Sequence, residues 1–592
     1  MEEKTDCWIE DIEDKDVPRP DFVRREWVSL DGEWEFSFDR PAFDRKIKVP
    51  YCYQAKESGI GETKSHEVVW YRKEFTLEEE VPREKCLLLK FGAVDDEASV
   101  YVNGSLACSH VGGYVPFEAD ITELVHKGAN VITLRVLDDE DAAKPRGKQT
   151  WTGEKFGCWY TPVTGIWQRV WLEYAGRPYI RQIKITPDLE HDLALCEVFL
   201  SQSGKVPLCA SFRLLPAMGE GQEGEGREEE QWQEEELFLG KQEFFGDKGY
   251  GKCILSLPDL DVCQSRLTWA PEHPNLIQVE ISAGNDKVET YFGMRSVEFK
   301  NGKFLLNGSY YYQRLVLDQG YWPDTLLTPP DGEALRRDIL LAKAMGFNGA
   351  RKHQKIEDPR YYYWADRLGF LVWGEMPSCY RYDDRTVERS AKALTAFIRR
   401  DYNHPSIITW VTANESWGLK NVRTYIRHQS FSNMLFYLAK SLDSTRPVSS
   451  NDGWEQTEHT DILAIHDYGL MPETLEKYED MEQVLREGVC HRPLLAQGQE
   501  YRGQPVMVTE YGGIAFAADK DGWGYYDKVS GEEEFLTRVE PVTEFLIRSG
   551  KFAGFCYTQL TDVMQEVNGL LKENREPKID VEKLREVFGK RG

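Results

Sequence analysis

The first part of the chain alternates short apolar runs with turn residues. Apolar runs occupy residues 86–91, 99–102 and 131–137, and an Asn-Gly pair typical of hairpin turns begins at Asn103. Helical periodicity is scarce in this region. Regularly spaced short strands are typical of β-sandwiches, so the pattern predicts a sandwich domain over residues 1–178.

A second strand-rich region follows. Residues 180–185, 195–201 and 278–282 again form short apolar runs. They are interrupted at residues 218–236 by a run rich in Gly, Glu and Gln, which we predict to be a solvated loop because it lacks core-forming residues. The pattern therefore indicates a second, smaller sandwich over residues 179–297.

From about residue 298 the pattern changes to alternating helices and strands. Residues 331–345 place Leu335, Ile339, Ala342 and Met345 on one face and end before a glycine. This spacing predicts an amphipathic helix with a glycine terminator. Further helices are predicted at residues 361–368, 389–400, 431–441 and 532–547 (broken by Pro541), and strands at 347–350, 370–373, 406–412, 462–465, 506–509 and 552–557.

Repeated strand–helix units over residues 298–592 predict a (β/α)8 TIM barrel, a fold of about 250 residues. No GxGxxG motif follows a predicted strand, and no GxxxxGK[ST] motif occurs, so a nucleotide-binding sheet is disfavoured. The predicted fold class is a multidomain chain with two β-sandwiches and a C-terminal TIM barrel.

Charge narrows the range of partners. The chain has 73 Lys and Arg against 100 Asp and Glu, a formal net charge of −27. Polyanions would be repelled, so neither nucleic acid nor a membrane is expected as a partner. The chain has no apolar run of the ~18 residues that a membrane span needs, and its start lacks the apolar segment of a secretory signal. The 12 cysteines show no metal-binding spacing and favour free thiols, so we expect a cytoplasmic protein.

Two glutamates follow predicted strands of the barrel. Glu415 comes just after residues 406–412, and Glu510 comes directly after residues 506–509. The carboxyl ends of barrel strands gather at one face, where such enzymes carry out their chemistry. One protonated and one ionised carboxyl group are what glycoside hydrolysis requires. A single glutamate at such a position is usually a solvated loop residue, so the residues alone indicate a barrel enzyme with paired acids.

The segments around these glutamates resemble the signatures of a known family. Asn-His-Pro-Ser-Ile-Ile-Thr-Trp-Val-Thr-Ala-Asn-Glu-Ser-Trp at residues 403–417 resembles the acid/base segment of glycoside hydrolase family 2, which contains β-galactosidases, β-glucuronidases and β-mannosidases. Pro-Val-Met-Val-Thr-Glu-Tyr-Gly-Gly at residues 505–513 resembles its nucleophile segment. Further matches, to the N-terminal jelly-roll domain of the family and to the start of its barrel, lie at residues 30–36, 69–75, 165–171, 291–295 and 304–308.

The resemblance implies a jelly-roll sandwich, an immunoglobulin-like sandwich and a catalytic TIM barrel. It also implies a retaining exo-β-glycosidase that works by double displacement through a covalent glycosyl-enzyme intermediate. Glu415 would be the general acid/base and Glu510 the nucleophile, with carboxyl groups ~5–5.5 Å apart. Asn414 matches an asparagine that binds the sugar 2-hydroxyl. Tyr468 matches a tyrosine that binds the nucleophile, and a buried core tyrosine is an equal alternative.

The identity of the sugar stays open. Arg351, Lys352, His353 and Lys355 follow a predicted strand, where the family keeps an arginine and a histidine that contact the sugar. The added lysines could bind the carboxylate of a uronide, and a solvated basic loop is an equal alternative. Residues 567–575 lack a clear form of the Asn-x-Lys element of β-glucuronidases. Both β-galactosides and β-hexuronides such as β-galacturonides remain candidate substrates.

Six further residues near predicted strand ends are candidates for sugar contact, with packing roles as equal alternatives. They are Asp318, Trp322, Trp373, Asn451, Tyr557 and Gln559. No metal-binding pattern is present, so we predict no required metal or other cofactor. The expected partner is a carbohydrate substrate, and a homo-oligomer is left open. The alternative account is a non-catalytic carbohydrate-binding protein with a degenerate barrel, which the presence of both glutamates disfavours.

Overall fold

The computed structural model describes residues 16–215, 238–257, 267–516, 522–525 and 528–590. The predicted loop at residues 218–236 and the first 15 residues lie outside these ranges. The first domain is a sandwich of two antiparallel sheets, and its core contains Trp34, Tyr71 and Leu89. The four-stranded sheet contains, in spatial order, Trp27–Ser29, Val170–Gly176, Lys85–Phe91 and Phe117–Asp120, and the six-stranded sheet contains Arg45–Val49, Gly32–Phe38, Val68–Leu77, Gly128–Leu137, Glu97–Val102 and Ser105–Val111.

The second domain is a seven-stranded antiparallel sandwich with its own core. Its strands are, in spatial order, Ile180–Asp188, Leu193–Leu200, Tyr250–Ser256, Phe238–Asp247, Val206–Leu215, Leu276–Ala283 and Asp286–Phe292. Buried and partly exposed residues alternate along Leu193–Leu200, as expected of a strand with one face on a core. Short sheets at Val94–Asp95 with Gly165–Ile166, at Trp269–Ala270 with His273–Pro274, and at Val297–Lys300, Lys303–Leu306 and Ser309–Tyr310 complete the strands before the barrel.

The third domain is an eight-stranded barrel whose paired strands all run parallel. Its strands are β1 Gln313–Asp318, β2 Gly349–Lys352, β3 Leu371–Glu375, β4 Ile407–Val411, β5 Val448–Ser449, β6 Leu463–His466, β7 Val506–Gly512 and β8 Gly554–Thr558. All residues of β2, β3, β4 and β7 are buried, because helices cover the outside and side chains fill the inside. The predicted fold class is confirmed.

The helices around the barrel are α1 Gly332–Ala344, α2 Pro359–Leu368, α3 Asp384–Asp401, α4 Ile426–Leu442, α5 Met481–Glu487, α6 Glu532–Arg548 and α7 Val581–Phe588. Short 3-10 helices lie at Lys56–Ser58 and Pro472–Tyr478. α1 begins at Asp331, whose carboxylate accepts a hydrogen bond from the Ala334 N–H and so caps the first turn. Its predicted apolar face is buried.

One helix differs from its prediction. α6 continues through Pro541 instead of being broken there. Pro541 lies on the exposed side, while Phe535, Val542 and Leu546 of the same helix are buried. Packing of this apolar face offsets the loss of one backbone hydrogen bond, so the helix continues.

The chain passes from one sheet to the next near residues 178 and 297. We propose domain boundaries at about residues 178 and 297, because the second sandwich starts at Ile180 and the short sheet that leads into the barrel starts at Val297. Every cysteine in the described ranges is free. Among the described residues, no helix has the length and apolar character to cross a membrane.

Candidate active site

The two predicted glutamates lie side by side at the carboxyl ends of the barrel strands. Glu510 belongs to β7, and Glu415 follows the end of β4 in a turn where its φ is +50°. The N–H of Glu415 donates to the carbonyl oxygen of Asp452, 2.9 Å away in the loop after β5. One carboxylate oxygen of Glu415, one of Glu510 and a ring nitrogen of His466 all lie within 4.8 Å of one another.

Arg351, at the end of β2, joins these groups. It is fully buried, and its Nη1 lies 2.8 Å from Oε1 of Glu510, while its Nη2 lies 2.6 Å from Oδ1 of Asn414. Its Nε lies 2.7 Å from Oε2 of Glu375, and Asp452 lies 3.1 Å from Nη1. Burial alone would lower the pKa of Arg351, but the carboxylates of Asp452, Glu375 and Glu510 raise it well above its usual range. A guanidinium can serve all these partners at once because its donors form a fixed planar fork.

Tyr468 holds the other oxygen of Glu510. Its hydroxyl donates to Oε2 of Glu510 at 2.5 Å, so both carboxylate oxygens accept hydrogen bonds. The Tyr468 ring stacks on Tyr525 with centroids 3.6 Å apart. Gly513 makes this stack possible, since a Cβ at this position would lie 2.5 Å from the Tyr525 ring. The Tyr468 hydroxyl thus contacts the predicted nucleophile.

His466, at the end of β6, lies between the two glutamates. Its Nδ1 is 2.9 Å from Oε1 of Glu415 and 3.3 Å from Oε2 of Glu510, and its Nε2 is 2.8 Å from Oδ1 of Asp452. Burial would lower the pKa of His466, but Glu510, Asp452 and Glu415 outweigh burial and raise it to about 9. Burial would raise the pKa of Glu415, yet the hydrogen bond and charge of His466 lower it. One ligand atom from each of Glu415, His466 and Glu510 lies within the spacing of a metal site, but Nδ1 of His466 already faces both carboxylates, at 2.9 Å and 3.3 Å.

Two asparagines shape the turn that carries Glu415. Asn414 is buried and accepts a hydrogen bond from Arg351, as described above. Asn451 accepts from the N–H of Ser416 at 2.9 Å and donates to the Ser416 hydroxyl at 3.1 Å. Asn451 therefore supports the backbone after Glu415, a packing role that the sequence had left as an equal alternative.

The N-terminal sandwich contributes an aromatic wall to the same face. The Trp159 ring lies edge-on to Trp417 with centroids 5.0 Å apart, and Trp151 stacks on Tyr380 at 4.0 Å. The indole N–H of Trp417 points to Oε2 of Glu415 at 3.4 Å. Residues of two domains therefore lie on the side of Glu415.

The same N-terminal loop places a cation near the glutamates. Lys148 is 7% exposed. Burial would lower its pKa, but the Cys158 thiol beside it and the carboxylates of Glu566, Glu510 and Glu415 raise it, so the ammonium stays charged. Within the described ranges, no carboxylate forms an ion pair with Lys148.

The predicted basic segment after β2 differs from expectation. Lys352 is buried and pairs with Asp318 at 2.7 Å and with Glu357 at 2.9 Å. Lys355 is buried and pairs with Glu357 at 2.8 Å, and its ammonium also donates to the carbonyl oxygens of Gly320 and Leu327. Neither lysine is free for a substrate carboxylate, because internal acceptors already surround both ammonium groups. A solvated loop is excluded as well.

His353, unlike the two lysines, contacts a residue that also binds Arg351. Its Nδ1 lies 3.2 Å from Oε1 of Glu375, which also holds Arg351. Burial and the charges of Arg351 and Lys148 lower the pKa of His353 well below its usual range, so the ring is neutral. A neutral imidazole beside the site can donate or accept one hydrogen bond to a sugar hydroxyl.

Five other candidates contact protein groups. Trp373 is fully buried and its indole N–H donates to Gln313 at 2.8 Å. The remaining placements are Asp318 on Lys352, Trp322 in a surface cleft with Asp331 and Arg575, Tyr557 between the rings of Tyr511 and Phe588, and Gln559 between Gln319 and Asn568. Each of these side chains thus has a protein contact in the structure, and its contact with a sugar stays a prediction.

Several groups of the site were missed from the sequence. Glu375 and His466 end strands β3 and β6, the same position that singled out Glu510, and Asp452 follows β5 closely. Strand ends therefore offered a signal for these three. Lys148 offered none, because its domain precedes the barrel by more than a hundred positions in the chain.

Comparison with known proteins agrees with this architecture. Residues 297–590 match the profile of the "Glycosyl hydrolases family 2, TIM barrel domain", and residues 25–159 match the "sugar binding domain" of the same family. A β-galacturonidase structure from Eisenbergiella tayi superimposes with a TM-score of 0.75 over 97% of this chain and 100% of that chain at 19% identity, which supports the fold alone.

Three of the curated relatives illustrate the sequence similarity. A putative β-glucuronidase of Formosa agariphila is 30% identical over 67% of this chain and 46% of its own length, and a β-galactosidase of Thermoanaerobacter pseudethanolicus is 27% identical over 71% and 53%. The chain thus spans about half the length of these two. A β-glucuronidase of Paenibacillus borealis is 26% identical over 97% of this chain and 98% of its own length. Two profiles of one family, in order along the chain, show that this protein belongs to glycoside hydrolase family 2.

Proposed function

We propose that this protein is a retaining exo-β-glycosidase. The observation that carries the proposal is the pair of carboxylate oxygens of Glu415 and Glu510, which lie within 4.8 Å of each other. Retaining enzymes hold their two carboxyl groups ~5–5.5 Å apart, whereas inverting enzymes leave ~6.5–9.5 Å for a water molecule. The short separation supports direct attack by one carboxylate on the sugar.

Glu510 is the proposed nucleophile. Arg351 and Tyr468 donate to its two oxygens, which orients the carboxylate and stabilises its charge. Its attack on C1 forms the glycosyl-enzyme intermediate while Glu415 protonates the departing oxygen. In the second step Glu415 removes a proton from water, and the water oxygen displaces Glu510 from C1.

Asn414 is the proposed partner of the sugar 2-hydroxyl. Arg351 binds its Oδ1, and its Nδ2 makes no hydrogen bond within the described part of the chain. This arrangement leaves an oriented donor beside the acid/base. Relatives named β-glucuronidase and β-galactosidase support an exo mode of action.

The proposed substrates are β-galactosides or β-hexuronides such as β-galacturonides. Relatives named β-glucuronidase and β-galactosidase support both sugars. Lys352 and Lys355 are paired with internal carboxylates, so among the described residues we propose Lys148, which lies near both glutamates, as the cation that binds a hexuronide carboxylate. A sugar without a carboxylate would not need this ammonium.

The first test measures hydrolysis of p-nitrophenyl β-glycosides of galactose, glucose, mannose, glucuronic acid and galacturonic acid. Glu510→Ala should lower kcat by roughly 10⁴-fold or more, as expected for loss of a nucleophile. Azide added to Glu510→Ala should yield the α-glycosyl azide, and azide added to Glu415→Ala should yield the β-glycosyl azide. Glu173→Ala, which removes a buried carboxylate of the N-terminal sandwich, is the control and should keep kcat.

The Lys148→Met variant tests whether the substrate carries a carboxylate. Lys155→Met, at an exposed position in the same loop, is the control. A hexuronidase should lose roughly 10–100-fold in kcat/KM toward uronides only, the value of a charged hydrogen bond. A galactosidase should show no such selectivity. Binding of sugars without any turnover would contradict the enzyme proposal and favour the carbohydrate-binding alternative.

A further inference from the structure

Each ring nitrogen of His466 faces a carboxylate oxygen. Nδ1 lies 2.9 Å from Glu415, and Nε2 lies 2.8 Å from Asp452. A neutral imidazole carries one N–H and one lone pair, so it can donate to only one of these two carboxylates. The other short contact would then join two acceptors. Nε2 also faces Nη1 of Arg351 at 3.1 Å, a donor from which a neutral ring can accept, but the 2.8 Å contact with Asp452 would still join two acceptors. The geometry therefore favours one additional proton, either on the ring or on a carboxyl group that faces it.

The surroundings of His466 favour that additional proton. The ring is fully buried, with Glu510 3.3 Å from Nδ1 and the Trp454 ring 5.5 Å away. The positive Nη1 of Arg351 lies 3.1 Å from Nε2, but it pairs with Asp452 and Glu510, so its charge is offset. The carboxylates of Glu415, Asp452 and Glu510 outnumber the positive charges of Arg351 and of the nearby Lys148, and a protonated ring supplies the missing positive charge.

The backbone is adapted to this ring position. Gly453, in the loop after β5, has a φ of +112°, and a Cβ there would lie 2.9 Å from Nδ1 of His466. A side chain at position 453 would push the ring away from Glu415. The close approach of His466 therefore depends on a glycine from a neighbouring loop.

We propose that His466 is a positioning residue that shares the catalytic proton with Glu415, an inference that rests on the glycosidase function proposed above. In the resting site the proton bonds to Nδ1 of His466 and points to Oε1 of Glu415. As the glycosidic bond breaks, the proton passes to Glu415 and from Glu415 to the leaving oxygen, while Glu510 bonds to C1. His466 is then neutral and Glu415 is ionised.

The second half of the cycle restores the shared proton. Glu415 takes a proton from water as the water oxygen bonds to C1 and the bond from C1 to Glu510 breaks. The proton then returns to the hydrogen bond between Glu415 and His466. Atoms and charge balance with water as the sole co-reactant. The imidazolium lowers the pKa of Glu415, so Glu415 is itself ionised at neutral pH. The proton that it donates must therefore come from His466.

The pH profile of kcat/KM distinguishes proton sharing from a merely structural role. The substrate is the preferred glycoside with an alkyl aglycone, which needs protonation to depart. In the wild type the alkaline limb should lie near pH 9, the pKa of His466. His466→Gln, which keeps one hydrogen bond, should move this limb at least one pH unit toward acid. It should also lose at least tenfold more activity on the alkyl glycoside than on the p-nitrophenyl glycoside.

A matched control is His404→Gln. His404 is a second buried histidine, bonded to Asp366 at 2.6 Å on the loop before β4. Its loss should leave the shape of the pH profile unchanged. If His466→Gln lowers kcat/KM equally at all pH values and on both leaving groups, the proposal is overturned.

If His466→Gln fails to fold, a measurement on the wild type that does not depend on turnover still tests the proposal. Nitrogen NMR of the wild type with 15N-labelled histidine reports the protonation of each ring, and addition of a covalent label at Glu510 identifies the ring beside it. Both nitrogens of His466 should remain protonated from pH 6 to about pH 8. A ring that is neutral at pH 7 in an active enzyme overturns proton sharing alone, whereas absence of any β-glycoside hydrolysis by the wild type overturns the glycosidase function and proton sharing together.

Discussion

At the scale of single residues, Arg351 organises the site. Its guanidinium binds Glu375, Glu510 and Asn414 within 2.8 Å, in a place with no solvent exposure. A buried ion pair adds little net stability, but removing one partner leaves uncompensated charges and is strongly destabilising. Arg351 is therefore better explained by the orientation it gives to Glu510, the proposed nucleophile, than by stability.

Replacement of Arg351 by lysine tests this orientation. A single ammonium cannot reach Glu375, Glu510 and Asn414 together, so we expect kcat to fall by about 10²-fold or more, as for misplaced groups in other active sites. The control is Arg575→Lys, which disrupts a buried bidentate pair with Asp338 elsewhere in the barrel. Thermal unfolding and kcat of both variants are compared. Equal kcat losses in the two variants would contradict a specific role for Arg351.

His466 also makes stability depend on pH. Its pKa is about 9 in the folded protein and ~6.5 when unfolded, so the folded state binds the proton more tightly. The resulting stabilisation is fully present below about pH 6.5 and is lost as pH rises toward 9, by roughly 3 kcal/mol. Urea unfolding at pH 6.5, 8 and 9.5 measures this slope. The slope should flatten in His466→Gln, and an unchanged slope would show that another group causes it.

At the scale of elements, packing overrides local propensity in α6. This helix contains Pro541 and buries Phe535, Val539 and Leu546 against the barrel. A proline inside a helix costs about 3 kcal/mol relative to alanine, partly offset because proline restricts the unfolded chain. The helix continues through Pro541 because its apolar face is buried in the core.

Pro541→Ala should therefore stabilise the protein. The restored N–H can close the missing backbone hydrogen bond, and we expect a gain of about 1–2 kcal/mol in the free energy of unfolding. Denaturant unfolding measures the gain, and kcat should be unchanged because α6 lies outside the strand-end face. Val539→Ala in the same helix is the opposite control, since it removes buried apolar contacts and should destabilise. A destabilised Pro541→Ala would show that the proline conformation is required.

At the scale of the whole molecule, two domains build one site. Tyr160, from the N-terminal sandwich, donates to Glu566 in the loop after β8 at 2.5 Å and accepts from Gln319 at 2.8 Å. Trp159 next to it packs on Trp417, which contacts Glu415. The sandwich therefore supplies residues beside Glu415 and does more than flank the barrel.

Trp159→Ala should weaken substrate binding more than chemistry. Loss of a large aromatic surface from the pocket wall should raise KM roughly tenfold, with a smaller change in kcat, because Glu415 and Glu510 keep their own partners. Trp34→Phe, in the core of the same sandwich, is the control and should change thermal stability without raising KM. If both variants affect only stability, the sandwich does not form part of the substrate site.

The sequence by itself determined the architecture. The spacing of Leu335, Ile339 and Ala342 and the repeated apolar runs reflect local hydrogen bonding and burial of one face, so the pattern along the chain carried them. It also placed Glu415 and Glu510 at strand ends, because parallel strands of a barrel all end at one face. These features depend on neighbours in the chain and on fold geometry that is shared by all barrels.

Only the tertiary structure decided how the charges pair. Lys352 and Glu375 both end barrel strands, yet Lys352 pairs with Glu357 away from the two glutamates, while Glu375 pairs with Arg351 beside Glu510. His466 likewise contacts Glu415 and Asp452, which follow two other strands of the barrel. Such pairings depend on the angular position of each strand and on desolvation by distant segments. Neither quantity is encoded by the spacing of residues along the chain.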